Sequence, residues 1–124
     1  MRIVLADREA DLMEVLWDDG PSTVAEVQKR LKVKLAYNTV LSILRTLEGK
    51  GYVGHEEEGR AHRYVARVAR EAARRSALRQ LSDKLFKGSV ELLLTSAVAD
   101  KKLSDEEIGR IRMLLDQRRQ GDKS

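Results

Sequence analysis

From Asp7 to Asp19 the apolar residues Ala10, Met13, Leu16 and Trp17, with Leu12 and Val15 beside them, recur at helical spacing and predict a first helix with Trp17 in the core. Asp7 stands where a cap or first-turn acid belongs, and Gly20-Pro21 stops the helix. Thr23 with Glu26 three residues on forms a capping box. It opens a second helix with Val24, Val27 and Leu31 on its apolar face, ending near Lys32. After the short connection VKLA, the stretch Ala36 to Leu47 places Val40, Ile43, Leu44 and Leu47 at i, i+3, i+4 and i+7, one narrow stripe expected to be buried. Its other face carries Asn38, Ser42, Arg45 and Gly49, which are small or hydrogen-bonding rather than the Glu/Lys mixture of an ordinary solvated face.

The period then changes. Gly51 ends the third helix, and two alternating runs, residues 52–56 and 61–65, flank Glu57-Glu58-Gly59-Arg60 as a hairpin with a glycine-containing loop. Three short helices and a hairpin are the plan of a winged helix-turn-helix. Beyond Arg67 no strand signal remains. Residues 70–86 predict a long helix ending at Gly88, Ser89 caps the next, and Ser104 with Glu107 opens a last one; QRRQGDKS is an expected frayed tail. The fold class is therefore mostly α: a winged helix-turn-helix head over residues 1–66, followed by a C-terminal three-helix dimerisation domain over residues 67–124. Three helices cannot easily bury Leu78, Leu81, Leu85, Phe86, Val90, Leu93, Leu94, Ile108, Ile111, Leu114 and Leu115 alone. A second copy of the chain is the economical cover, making these the expected homodimer interface; the alternative is a helical subdomain packed back on the head.

Composition adds exclusions. With no cysteine there are no disulfides, thiolate metal sites or cysteine nucleophiles, and no window approaches the apolar length needed to span a bilayer. The expected location is cytoplasmic, without membrane insertion. The net charge of +4 is small, but its distribution is informative. Residues 7–19 hold six acids against one arginine, whereas residues 29–63 hold eight bases against four acids and include the third helix. A surface for double-stranded DNA requires that segregation.

The chemistry is that of recognition. Asn38, Thr39, Ser42 and Arg45 are the candidate base contacts, since amides and guanidinium groups match base edges in the major groove. Lys29, Lys34, Lys50, Arg60, His62 and Arg63 are candidate backbone contacts. Tyr37 joins them by stacking on sugar or donating to phosphate, unless it packs on the second helix. Arg45 has as its alternative an ion pair with Glu48 or Glu26. Glu56, Glu57 and Glu58 repel phosphate, so the wing is expected to touch DNA through its tip and second strand. His55 and His62 have no third ligand in register, no cofactor is implied, and no nucleophile, base and orienting group converge as an enzyme needs. The competing function is a winged-helix protein-interaction module, with Leu41 as its one exposed anchor on the third helix.

Five segments in order resemble the BlaI/MecI/CopY family of penicillinase-type repressors. They are Leu12-Met13 with Val15-Leu16-Trp17 before Gly-Pro, then Asn38-Thr39-Val40-Leu41-Ser42-Ile43-Leu44, Lys50-Gly51-Tyr52-Val53, Gly59-Arg60-Ala61-His62-Arg63-Tyr64, and Leu85-Phe86-Lys87-Gly88-Ser89, which resembles the family's dimerisation turn. The resemblance implies a homodimeric repressor on an inverted-repeat operator, with an unidentified sensor or protease as a further partner. Three departures limit the transfer. Thr95-Ser96 stands where resistance-gene members carry a cleavable Asn-Phe bond, there is no cysteine for copper sensing, and Ala6 replaces the usual Ser or Thr, leaving Asp7 to cap.

Overall fold

The computed structural model describes residues 1–100 and 102–122. Its elements are α1 (Asp7–Asp19), α2 (Val24–Arg30), α3 (Tyr37–Gly49), β1 (Val53–Glu58), β2 (Ala61–Ala66), α4 (Arg70–Leu85), α5 (Val90–Ala99) and α6 (Asp105–Asp122). The strands form one antiparallel pair in which Val53 faces Ala66 and Glu58 faces Ala61. Two residues, Gly59 and Arg60, therefore make the whole turn, shorter than the four-residue loop expected. Gly59 supplies the positive φ of 62° that so tight a reversal requires.

The chain divides into two compact units, Met1–Leu78 and Arg79–Ser124. In the first, Leu12, Met13 and Leu16 of α1, Val24 and Val27 of α2, and Val40, Leu44 and Leu47 of α3 close on Tyr52, Val53 and Tyr64. The α3 stripe is buried as its spacing predicted, with Ile43 half-buried at its edge. Thr23 Oγ1 accepts from Glu26 N–H at 3.2 Å and Glu26 returns the bond to Thr23 N–H at 3.1 Å, so α2 opens on its capping box.

Asp7 does not cap α1. It already occupies the first helical position, one place too late, and Glu9 instead reaches back to accept Ala6 N–H at 2.8 Å. Trp17 is only half-buried, at the margin of the core. Its polar edge explains the position: the indole Nε1 donates to Val68 O at 2.9 Å, and the Arg70 guanidinium lies 5.6 Å from the ring centroid. The first unit runs past residue 66 because α4 starts inside it. Ala73 is buried in the same core, and Ser76 bonds the backbone of Ile3.

In the second unit α4 stops where Lys87 and Gly88 both turn left-handed, letting Gly88 N–H reach Ser82 O at 2.9 Å. Ser89 caps α5 through Leu92 N–H, and Ser104 and Glu107 exchange bonds at the start of α6. The expected frayed tail is helical as far as Asp122, because no proline interrupts it and Arg118 and Arg119 suit the negative end of the helix. Lys123 and Ser124 lie outside the described residues. Among the described residues of this unit, no apolar side chain is fully buried. Among the described residues no helix is long and apolar enough to cross a membrane.

Candidate nucleic-acid interface

The outer face of α3 follows from its sequence. Once Val40, Leu44 and Leu47 are committed to the core, a 3.6-residue period sends Asn38, Ser42 and Arg45 outward. All three are exposed, as are Thr39 and Tyr37. Asn38, Leu41, Ser42, Arg45 and Thr46 line one open depression along the helix. Thr46 was missed at sequence level. It lies one helical turn beyond Ser42 on the same stripe, and its hydroxyl bonds Ser42 O at 3.1 Å. Leu41 is half-buried against the core, so this face has no exposed aliphatic anchor there.

The helix-turn-helix connection is held from α2, where Gln28 Nε2 donates to Leu35 O at 3.0 Å. α3 then begins at Ala36, which offers no side-chain cap. The residues of its first turn, Tyr37, Asn38 and Thr39, are exposed, and a helix start without a side-chain cap is suited to a phosphate. Lys29 on α2 and Lys34 in the turn are both exposed.

Both carboxylates that offered Arg45 an ion pair are engaged elsewhere. Glu26 binds Arg63 at 2.8 Å and Arg30 at 3.4 Å, and Glu48 contacts His55 Nδ1 at 2.5 Å. Arg45 lies instead by the Tyr64 phenol. Burial pushes that phenol up from its ordinary value, Glu48 adds to the rise, and Arg45 pulls against it.

Arg60 sits at the tip of the hairpin turn and His62 is exposed on β2, its ring stacked on His55 at 4.9 Å. Arg63 is differently placed: it spans Glu58 at 2.5 Å and Glu26 at 2.8 Å. The bond to Glu58, with those two carboxylates' charges, holds its guanidinium above its ordinary value. Lys50 is also engaged, its Nζ lying 2.9 Å from both carboxylate oxygens of the buried Glu9. Burial pushes Glu9 up, but the Lys50 bond and the Ala6 N–H outweigh it and hold the carboxyl below its ordinary value. Lys50 and Arg63 thus serve as internal clamps, leaving Lys29, Lys34 and Arg60 as the more available cations of the set. Among the described residues no group of three or more His, Asp or Glu side chains is placed to hold a metal ion.

The residues expected at the dimer interface are largely uncovered within one chain. Leu85 is 68% exposed and Leu114 64%, and Leu78, Leu81, Val90, Leu94, Ile108, Ile111 and Leu115 are exposed as well. Phe86 and Leu93 are half-buried. Val98, on the apolar stripe that the sequence predicts after Ser89, is exposed too, and Leu92 and Met113 are exposed apolar neighbours that the sequence pattern did not single out.

A family model described as penicillinase repressor matches residues 5–117. The penicillinase repressor of Bacillus licheniformis is 23% identical over 115 residues, covering 91% of this chain and 90% of that one. The transcriptional regulator BlaI of Mycobacterium tuberculosis is 40% identical over 64 residues, 49% of this chain and 46% of its own. Among solved structures, a MarR family protein from Bacillus stearothermophilus superposes with a TM-score of 0.53 at 17% identity, covering 98% of this chain and 78% of that one. A transcriptional regulator from Thermotoga maritima gives 0.54 at 19%, covering 97% and 80%. At these identities the structural likeness establishes the winged-helix fold.

Proposed function

The chain belongs to the penicillinase repressor family, and from that premise we propose that it is a homodimeric repressor whose two heads bind an inverted-repeat operator. The family is one of transcriptional regulators rather than enzymes. The observation that carries the proposal is the α3 face: Asn38, Ser42, Arg45 and Thr46, with the half-buried Leu41, line one open depression above the buried Val40, Leu44 and Leu47. Asn38, Thr39, Ser42 and Arg45 read base edges in the major groove, and Thr46 extends the stripe. Tyr37, Lys29, Lys34, Arg60 and His62 hold the sugar-phosphate backbone. Lys50 and Arg63 reach phosphate only by exchanging their carboxylate partners.

Residues 1–66 carry the DNA contacts, and the exposed apolar side chains of residues 67–124 pair with those of a second copy. Two linked heads gain avidity that neither has alone, so whatever separates the C-terminal helices releases the operator. A sensor or protease is one agent of that separation, with Thr95-Ser96 standing where the family's resistance-gene members carry the cleavable Asn-Phe bond. The working compartment is the cytoplasm.

The test is selection of genomic fragments by the purified protein, followed by titration of the enriched duplex at two salt concentrations. Enrichment of an inverted repeat, two subunits per site and a steep salt slope are expected. Weak, sequence-blind binding would overturn the proposal and favour a protein partner for α3.

A further inference from the structure

Residues 2–5 form a strap outside any helix or sheet, yet Ile3 is buried, only 3% exposed. Two hydroxyl groups hold this strap, each working in both directions. Ser76 Oγ on α4 accepts Ile3 N–H at 2.8 Å and donates to Ile3 O at 3.2 Å. Tyr52 OH accepts Val4 N–H at 3.0 Å and donates to Arg2 O at 3.5 Å. Tyr52 is itself pinned to the end of the reading helix, because its N–H donates to Leu47 O at 3.0 Å. Its carbonyl accepts Arg67 N–H at 2.8 Å, where the chain leaves the wing. The strap thus ties the last turn of α3 to α4.

α4 has two further anchors. Arg70 pairs with Glu14 at 2.9 Å and with Asp18 on α1, and Ala73 is buried in the core. Arg70, Ala73 and Ser76 follow at intervals of three, which at 100° per residue keeps them within an arc of about 120°. Three attachments along one face hold residues 70–76 of α4 against the rest of the head. α4 then continues without a break to Leu85.

Resting on the proposed dimeric operator binding, we propose that the strap sets which spacing between operator half-sites the protein accepts, with Ser76 and Tyr52 as its positioning residues. Neither residue touches DNA in this reading. They act through the exit angle of α4, which decides where the second head meets the duplex. A bidentate dimer gains avidity only when both heads reach their half-sites in register, and half a helical turn of error, about 5 base pairs, puts the second groove on the wrong side.

The experiment uses the full chain and inverted-repeat duplexes built from the selected half-site, with the spacer changed one base pair at a time. The unaltered protein should prefer its best spacing over one half a turn away by at least about tenfold. Ser76→Ala and Tyr52→Phe should each cut that ratio by about threefold or more, while affinity for a single half-site and the dimeric state stay unchanged, and Ser76→Thr should restore it. An unchanged ratio in both variants would overturn the inference, as would a parallel fall in single half-site affinity, since the hydroxyls would then be holding the reading helix itself. A flat spacer profile in the unaltered protein defeats this inference alone. Failure to bind any inverted repeat defeats the dimeric-repressor reading on which it rests.

Discussion

The two compact units are both built on helices but stand in opposite relations to solvent. The head closes its apolar stripes on one another, so that Leu12, Met13, Val27, Val40, Leu44 and Leu47 have no exposure at all. The second unit is rich in Leu, Ile and Val, yet its α5 has no buried residue and α6 leaves Ile108, Ile111, Leu114 and Leu115 in solvent. An apolar face that finds no cover within its own chain is unfavourable by roughly 25 cal/mol per Å² relative to burial. The head therefore closes on its own core, whereas the second unit leaves its apolar side chains uncovered within its own chain.

Truncation probes that difference most strongly. A fragment ending at Leu78 should fold as a monomer and lose roughly 10²–10⁴-fold in affinity for an inverted repeat, measured by titration against the full chain. A fragment ending at Ala66 should also fold but be less stable, by roughly 3 kcal/mol in chemical denaturation. It gives up the Val68 carbonyl that binds Trp17, the buried Ala73 and the two Ser76 bonds. Equal stability of the two fragments would place the end of the head before α4.

Next in size is Leu114→Asp, which puts a charge on the uncovered face. Dimer association should weaken by about 2 kcal/mol or more in sedimentation, with the unfolding midpoint of the head unmoved. Full dimerisation by this variant would remove α6 from the interface.

Lys50→Met tests the head from within. It leaves the buried Glu9 carboxylate without its cation and should destabilise the head by about 2 kcal/mol, while leaving the salt dependence of DNA binding intact. The same pair sets a pH response. Burial raises Glu9, but Lys50 and Ala6 N–H hold it lower than an ordinary glutamate, and Glu26 is held low by its bonds with Thr23. A carboxyl depressed on folding gives its full stabilisation above the unfolded value of 4.5 and loses it as pH falls through the lower folded value. The melting temperature should drop below that pH, and drop less steeply in Glu9→Gln.

The smallest effects separate base reading from backbone holding. Arg45→Ala should reduce discrimination between operator and random DNA by about 1 to 3 kcal/mol. Arg60→Ala should weaken both and flatten the salt slope by about one unit. Equal losses on operator and random DNA for Arg45→Ala would refute base reading.

What was legible in the sequence was local. The Thr23/Glu26 and Ser104/Glu107 boxes, the Ser89 cap and the α3 stripe, with Ile43 at its edge, depend on residues within one or two turns of each other and stand in the structure as their spacing predicted, and the hairpin does so with a turn two residues shorter than expected. What escaped depends on distant partners. Lys50 reads as a surface cation until Glu9 comes round from α1, and Arg63 until Glu26 does. The extension of the head into α4 is set by contacts with Ile3 and Trp17, which no periodicity reveals. Thr46 differs: its place on the stripe was readable from the helical period alone.

The separation of charge within the head has a kinetic consequence. Asp7, Glu14, Asp18 and Asp19 are exposed on α1, while Lys29, Lys34, Arg45 and Arg60 are exposed on α2, the turn, α3 and the wing. With these acids gathered on α1 and these bases on other elements, and with Glu56, Glu57 and Glu58 on the wing opposing part of the effect, the head feels a torque near a polyanion as well as an attraction. Each head is turned as it diffuses in, so a larger share of collisions arrive with the bases foremost. Salt that screens this field slows arrival before it loosens any contact already made.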